Sequence, residues 1–156
     1  MDKLRPIVIA GLMLGVILAA GTALATPSAG VSGSPMIRAA LADARIDTRA
    51  DDVRLRTLAD SDVMMQTAVF EPGGHSGWHG HRGIVLIAIK SGELTWYDSD
   101  CRAVRYTAGQ AFTEAGGDKV LVRNEGAVPA EVGITYVVPK GRDYRIDRND
   151  PGCGVE

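Results

Sequence analysis

Hydrophobic and polar residues alternate along much of the chain after residue 52, and glycine-rich breaks separate the alternating segments. Alternation with a period of two predicts β-strands with one solvated face. Strands are predicted at residues 53–57, 63–70, 84–90, 93–97, 103–106, 110–113, 120–123 and 130–138. Many short strands with almost no helical periodicity predict an all-β fold, and a double-sheet jelly-roll barrel fits this pattern best.

All three histidines lie in one glycine-rich segment. His79 and His81 are two positions apart, so on a strand both imidazoles point to the same face. Trp78 should then point the opposite way and pack in the core. We expect His75, in the preceding loop, to be solvated. The segment therefore predicts two imidazoles side by side on one wall of the barrel.

The apolar run at 84–90 predicts a strand that is buried on both faces. A turn at Ser91 and Gly92 predicts that residues 93–97 return antiparallel to it. The barrel domain should span 53–156, because no composition shift divides it. Its polar tail follows residue 139.

The N-terminus has the pattern of a targeting segment. Lys3 and Arg5 precede an uncharged apolar run at 7–20, and small residues follow. This pattern predicts a signal peptide over residues 1–25, with cleavage between Ala25 and Thr26. The alternative is an uncleaved membrane anchor, since about 20 apolar residues cross a bilayer. In both cases the domain is expected to be exported, to an extracellular, periplasmic or cell-envelope location.

Residues 26–52 are interpreted as a linker with a short helix. Residues 26–35 are rich in Ser, Gly and Pro and predict a disordered spacer. Residues 36–46 contain good helix formers, and either a short N-terminal helix or the beginning of a strand fits them.

The chain has two cysteines, Cys101 in a polar turn and Cys153 near the C-terminus. In an oxidising compartment two such thiols are expected to pair. Neither has a Cys or His at ligand spacing, which argues against a metal-binding or catalytic thiol. We therefore predict a disulfide bond that ties the tail to the barrel wall.

The histidine segment resembles the first motif of the cupin family, G-x5-H-x-H-x3-4-E-x6-G. The residues that match are Gly73, His79, His81 and Gly92. The glutamate position falls on Val85, or on Leu86 with the longer spacing. One expected metal ligand is therefore replaced by an apolar side chain.

The second cupin motif, G-x5-P-x-G-x2-H-x3-N, aligns with Gly109, Ala115, Gly117, Val120 and Asn124. The ligand histidine of the motif is thus Val120 here. Asn124 is expected to form a turn. The resemblance covers residues 63–138 and implies a jelly-roll cupin barrel that lacks two of four metal ligands.

The resemblance also implies a divalent metal, Mn, Fe, Ni or Zn, at His79 and His81. Two imidazoles alone would bind a metal weakly. His75 is a candidate third ligand, and Glu71 and Glu114 are others.

If the barrel forms as in cupins, Val85 and Val120 point inward near the two histidines. The expected pocket is part imidazole and part hydrocarbon, and it suits a small molecule with an apolar body. Tyr136 and Phe112 are expected to be core aromatics. The first hypothesis is therefore small-molecule binding without established catalysis. The alternatives are a metal-dependent enzyme of the oxygenase or isomerase type, and an envelope scaffold or interaction protein.

Other partner classes have less support. The net charge is −2 with interspersed signs, so no basic stripe predicts nucleic-acid binding. No nucleophilic triad or phosphate loop is present in the sequence. Membrane contact is expected only through an uncleaved N-terminal segment. The cupin resemblance adds the hypothesis of a homodimer formed through exposed edge strands.

Overall fold

The computed structural model describes residues 25–42 and 45–155. The apolar segment at 7–20 therefore lies outside the described residues. Within the described ranges the chain forms strands and no helix, so no helix there could cross a membrane. The strands are β1 (Ala29–Gly33), β2 (Ile37–Ala40), β3 (Asp47–Ala50), β4 (Val53–Arg56), β5 (Ser61–His75), β6 (His79–His81), β7 (Ile84–Ser91), β8 (Glu93–Asp98), β9 (Ala103–Thr107), β10 (Ala111–Glu114), β11 (Val120–Arg123), β12 (Ala130–Pro139) and β13 (Arg145–Asp147).

Eleven of these strands pair antiparallel in two halves that close into a jelly-roll barrel, whereas within the described residues β3 and β4 pair only with each other. One half has the order β10-β7-β12-β5, and β1 and β2 pair with the other edge of β5. The second half contains β9, β8, β11, β6 and β13. The halves are joined where Arg123 pairs with His75. The all-β jelly-roll prediction is confirmed.

The prediction that residues 84–90 are buried on both faces is wrong. β7 alternates strictly between exposed and buried positions, with Ile84 and Leu86 about half exposed and Val85 1% exposed. β7 and β8 also do not pair as a hairpin, because β7 pairs with β10 and β12 while β8 pairs with β9 and β11. The turn at Gly92 instead carries the chain from one half of the barrel to the other.

Two predictions for the N-terminal segment are also corrected. Residues 26–35 are not a disordered spacer, because β1 pairs with β5 from Gly33↔Ala68 to Ala29↔His75. Within the described part of 36–46 the strand alternative is observed at β2, which pairs with β5 at Ile37↔Met65. An 11-residue segment gains little from forming an isolated helix, and the open edge of β5 satisfies its backbone groups instead.

The interior contains two separate hydrophobic clusters. The larger lines the barrel and is built from β5, β7, β12 and their neighbours. The smaller consists of Trp78, Tyr97 and Leu121, with Cys153 and Val155 of the tail packed on it. Trp78 is fully buried in this cluster, which confirms its predicted place in the core.

Two tethers hold the tail over the smaller cluster. Cys101 and Cys153 are joined as a disulfide, which confirms the predicted pairing. Arg123 donates a hydrogen bond to the carbonyl oxygen of Val155. Asn124 is fully buried and bonds Phe70, Gly126 and Val128, which confirms its role in a turn.

Candidate metal centre and cavity

The short strand β6 places the two histidines. Because β6 lies between β11 and β13, its alternate residues are fixed on opposite faces. His79 and His81 share the inner face, are each 4% exposed, and have ring centroids 4.8 Å apart. The side-by-side imidazoles predicted from the sequence are therefore present and buried.

A carboxylate completes this pair from the other half of the barrel. Glu114 ends β10 and pairs in register with Val85 of β7. Its Oε2 lies 2.9 Å from Nε2 of His81 and 3.8 Å from Nε2 of His79. The glutamate that the first motif lacks on β7 is thus replaced by one on the adjacent strand.

The three residues form a group whose candidate ligand atoms all lie within 4.8 Å of one another. Two ligands of one ion, each about 2.1 Å from it, are separated by roughly 3–3.5 Å. The Glu114 distances to His81 and His79 lie on either side of that spacing. All three side chains are buried, so the group is shielded from bulk water. Its dimensions suit a single metal ion.

Hydrogen bonds set the orientation of both imidazoles. Nδ1 of His79 lies 2.9 Å from the carbonyl oxygen of Gly77, and Nδ1 of His81 lies 2.8 Å from that of Tyr144. A carbonyl oxygen only accepts, so each Nδ1 carries the hydrogen and donates. In a neutral imidazole the lone pair is then on Nε2, which is the atom turned toward Glu114.

With both imidazoles in the neutral form, the group would carry one uncompensated negative charge, that of Glu114. A lone pair on Nε2 of His81 and a carboxylate oxygen of Glu114 repel at 2.9 Å unless a proton or a cation lies between them. The other carboxylate oxygen, Oε1, is buried and has no hydrogen-bond partner in the described part of the chain. Buried polar atoms normally have partners, so the chemistry of this carboxylate fits a cation ligand.

Burial lowers the pKa of His79 to about 4, from an ordinary value of 6.5. Glu114 opposes this shift, while Arg145 and His81 reinforce it. His79 is therefore neutral near pH 7. A neutral imidazole is the form that binds a metal ion.

A cavity of about 220 Å³ adjoins the group. Its apolar wall comes from the larger cluster and includes Phe70, Val85, Ile87, Phe112 and Val132. Its polar wall contains Gln66, Ser76, Tyr136, Tyr144 and Arg145. Gln66 donates to the Tyr136 hydroxyl at 2.9 Å, which leaves the phenolic hydrogen to donate in turn. Burial raises the pKa of Tyr136 above its ordinary value, so this hydroxyl stays protonated.

The other site residues suggested by the sequence have different outcomes. Val85 lines the cavity as expected. Val120 is buried and paired with His79, but Val122 rather than Val120 lines the cavity. The solvated position expected for His75 is wrong: it is 9% exposed and its Nδ1 accepts from the Gly77 amide.

His75 also lies outside the group of candidate metal ligands, and Glu71 is exposed. Of the three extra ligand candidates, Glu114 alone joins the two histidines. Tyr136 is buried as predicted, yet it faces the cavity and lies 5.8 Å from His81 between ring centroids.

Sequence reasoning missed the contribution of the tail. Tyr144 and Arg145 reach the site because β13 pairs with β6, which places Arg145 opposite His81. Arg145 also donates to the carbonyl oxygen of Ser76. The only signal in the sequence is the short apolar alternation around Ile146, which is too brief to predict a strand.

The family model described as "Cupin domain" matches residues 66–149, more than half of the chain. The chain therefore belongs to the cupin family, and the resemblance seen in its motifs is confirmed. Among curated proteins, none matches the sequence.

Several solved structures are similar to parts of this chain. A cupin-like protein from Thermotoga maritima is 16% identical, with a TM-score of 0.49, and the match covers 56% of this chain and 65% of that one. A Cupin 2 conserved barrel domain protein from Salinispora arenicola is 19% identical, with a TM-score of 0.46, covering 50% and 64%. An oxalate oxidase in complex with the substrate analogue glycolate is 23% identical, with a TM-score of 0.42. The match covers 47% of this chain and only 41% of that oxidase.

Proposed function

We propose that this protein binds a divalent transition-metal ion through His79, His81 and Glu114 and holds a small organic molecule beside it. The observation that carries the proposal is the buried Glu114 carboxylate, which faces Nε2 of both histidines and has one oxygen without a hydrogen-bond partner in the described residues. Each imidazole is already oriented by a carbonyl oxygen behind it, which is the usual outer-shell arrangement of metal-binding histidines.

The donor set narrows the class of metal and of chemistry. Two imidazoles and one carboxylate suit Fe, Mn, Ni or Zn, and three protein ligands leave coordination positions open. When bound, such an ion polarises an oxygen atom of a ligand or activates it for reaction. A metal-dependent enzyme of the oxygenase or isomerase type is therefore favoured over a scaffold, since the barrel contains a cavity and is not filled by side chains.

The cavity defines the small molecule in chemical terms. The apolar wall would contact a hydrocarbon part, and the Tyr136 hydroxyl and the Arg145 guanidinium would donate to acceptor oxygens. His79 and His81 would hold the ion with their Nε2 atoms, while their Nδ1 hydrogens stay on the carbonyl oxygens. Water would be excluded from the group by its burial.

Metal analysis tests the proposal directly. The protein, purified without a polyhistidine tag, is expected to retain near-stoichiometric metal after dialysis, measured by inductively coupled plasma mass spectrometry. His79→Ala should lose that metal, whereas His75→Ala, which removes a histidine outside the group, should keep it. The proposal would be contradicted if the protein still contained no metal after incubation with Fe, Mn, Ni or Zn followed by dialysis.

A metal-free binding site is the second candidate. A single proton between His81 and Glu114 would satisfy their 2.9 Å contact without an ion. In that case a small ligand would bind equally well before and after chelation of metal, as measured by calorimetry. Loss of ligand binding on chelation would exclude this candidate.

A homodimer is proposed from the outer face of the β5, β7 and β12 sheet. Ile37 pairs with Met65, and Thr135 of β12 pairs with both Met65 and Leu86. These positions form an apolar band on the outside of the barrel, where Ile37 is 67%, Met65 50% and Leu86 49% exposed. Exposed apolar patches of this kind are typical of interfaces between proteins.

Light scattering after size-exclusion chromatography would measure the mass. Leu86→Glu should convert a dimer to a monomer, and Val128→Glu, at another exposed apolar residue, should not. A monomeric wild-type protein would end this proposal.

Export is also proposed. The Cys101–Cys153 pair fits an oxidising compartment. N-terminal sequencing of the protein from the cell exterior is expected to begin at Thr26. Protein found only in the cytosol would contradict export.

A further inference from the structure

A second concave surface, an open cleft on the outside of the barrel, lies at the end of β6 and is lined by His81 and by residues of the neighbouring loops. We refer to it as the arginine cleft, and its cationic side chains are Arg82, Lys140, Arg142 and Arg148. Gly116 and Gly117 also line it. The cleft encloses about 830 Å³, so it is large enough for a solute of several functional groups.

The arginines of the cleft differ from most others in the molecule. Within the described residues, six arginines lie within ion-pair distance of a carboxylate: Arg38, Arg54, Arg56, Arg102, Arg105 and Arg145. The guanidinium groups of Arg82, Arg142 and Arg148 make no ion pair or hydrogen bond in the described chain. The arginine cleft therefore contains three guanidinium groups without a hydrogen-bonding partner in the described chain.

The backbone beneath these side chains is nevertheless fixed. The Arg148 amide donates to the carbonyl oxygen of Trp78, and the Arg142 amide donates to that of Pro139. The Arg142 carbonyl oxygen in turn accepts from Arg38. The guanidinium groups thus project from anchored segments, which lowers the entropy cost of ordering them on a ligand.

Charge indicates the class of ligand. Four cationic side chains and one carboxylate, Asp60, line the cleft, which gives it a formal charge of +3 in a chain of net charge −2. Asp60 lies 3.8 Å from Lys140 and compensates the charge of that lysine, but not those of the arginines. Guanidinium forks match the paired oxygens of phosphate and sulfate groups.

We propose that the arginine cleft is a binding site for a phosphate or sulfate group carried by a small solute. The concave shape favours a solute over a flat membrane surface, because the cationic residues come from separate loops around a hollow. The site is distinct from the metal group, although His81 belongs to the walls of both. It does not depend on whether a metal is bound.

Calorimetric titration with inorganic phosphate and with sulfate tests the proposal on the intact protein. Saturable binding with one site is expected at low salt, and the affinity should fall as salt is raised. Arg82→Gln, Arg142→Gln and Arg148→Gln should each weaken binding about tenfold. Arg105→Gln, which removes the same charge from an ion-paired arginine of β9, should change it less than about twofold.

Further measurements distinguish the arginine cleft from the metal group and from a membrane-binding surface. Circular dichroism melting should show that the variants remain folded, since their side chains are exposed or half-buried. Phosphate binding should persist in Glu114→Gln; its loss there would place the anion at the metal and overturn the proposal. Equal weakening by Arg105→Gln would overturn it as well. So would binding to vesicles of phosphatidylcholine and phosphatidylglycerol in the absence of phosphate or sulfate binding.

Discussion

The two faces of β6 carry opposite kinds of structure. Trp78, just before the strand, packs with Tyr97 and Leu121 in a fully filled cluster that the tail covers. His79 and His81 face the other way, into a cavity where a buried carboxylate oxygen has no partner in the described chain. A change of one position along the chain therefore separates a region of close apolar packing from a region of buried polar groups beside a cavity.

The difference shows how the barrel accommodates a costly site. Buried polar groups without partners destabilise a protein by roughly 1–3 kcal/mol each. The apolar cluster and the disulfide lie on the opposite side of β6 and stabilise the same strand. β13 connects the two regions, because it pairs with β6 at His79 and His81 and the chain after it leads to Cys153. If this division is right, substitutions on one face should change metal binding and those on the other should change stability.

The largest expected effect is on metal content. Glu114→Gln removes the only carboxylate of the group, so retained metal should fall to near zero, a loss greater than the roughly 100-fold cost of removing an outer-shell partner. The metal retained per protein after dialysis is measured by mass spectrometry. Glu71→Gln, the same substitution at an exposed glutamate, is the matched control and should keep its metal. The variant should be at least as stable as the wild type stripped of metal, because a neutral amide replaces a buried charge. If Glu114→Gln retained its metal, the assignment of metal binding to the histidine face would be wrong.

On the filled face, Leu121→Ala should destabilise the fold and leave the site intact. Leu121 is fully buried, and such truncations cost about 2–5 kcal/mol through lost burial and the cavity that remains. Urea unfolding followed by circular dichroism gives the free energy of unfolding. The metal bound per folded molecule should equal that of the wild type, and a parallel loss of metal would show that the two faces are coupled.

Removing the disulfide is expected to have a similar or somewhat smaller effect. Cys101 and Cys153 are separated by 52 positions, and a bridge over such a loop typically stabilises by about 2–4 kcal/mol. The variant with both cysteines changed to alanine should lose that amount in urea unfolding. The wild type in reductant should match the variant, and a free energy equal to that of the oxidised protein would refute the expectation.

The most specific effect, which is confined to a narrow pH range, is the dependence of stability on pH in the metal-free protein. His79 has a pKa of about 4 when folded and about 6.5 when unfolded, so the unfolded chain binds more protons between these values. The contribution of His79 to the free energy of unfolding is fully present above pH 6.5 and is lost as the pH falls toward 4. The loss from this residue is about 3 kcal/mol. In His79→Gln the free energy of unfolding should change less steeply with pH, as measured by urea unfolding between about pH 4 and pH 6.5. Identical slopes in the two proteins would assign the dependence to other groups.

The sequence by itself determined the fold class and half of the site. Period-two alternation is a local property, and the glycines and His79 and His81 occur at motif spacing, so both could be recognised without coordinates. The cysteine pairing followed from the number of cysteines. In contrast, β1 and β2 carried no strong local signal, because their strand conformation comes from pairing with β5.

Only the tertiary structure decided which carboxylate completes the group. Glu114 lies 33 residues after His81, and no local pattern relates the two. Their contact arises because the barrel closes β10 onto β7 and places β7 against the histidine face. The same closure brings Tyr144 and Arg145 from a polar tail to the cavity. A site assembled across strands depends on register between distant segments, and register is a property of the closed sheet rather than of any segment alone.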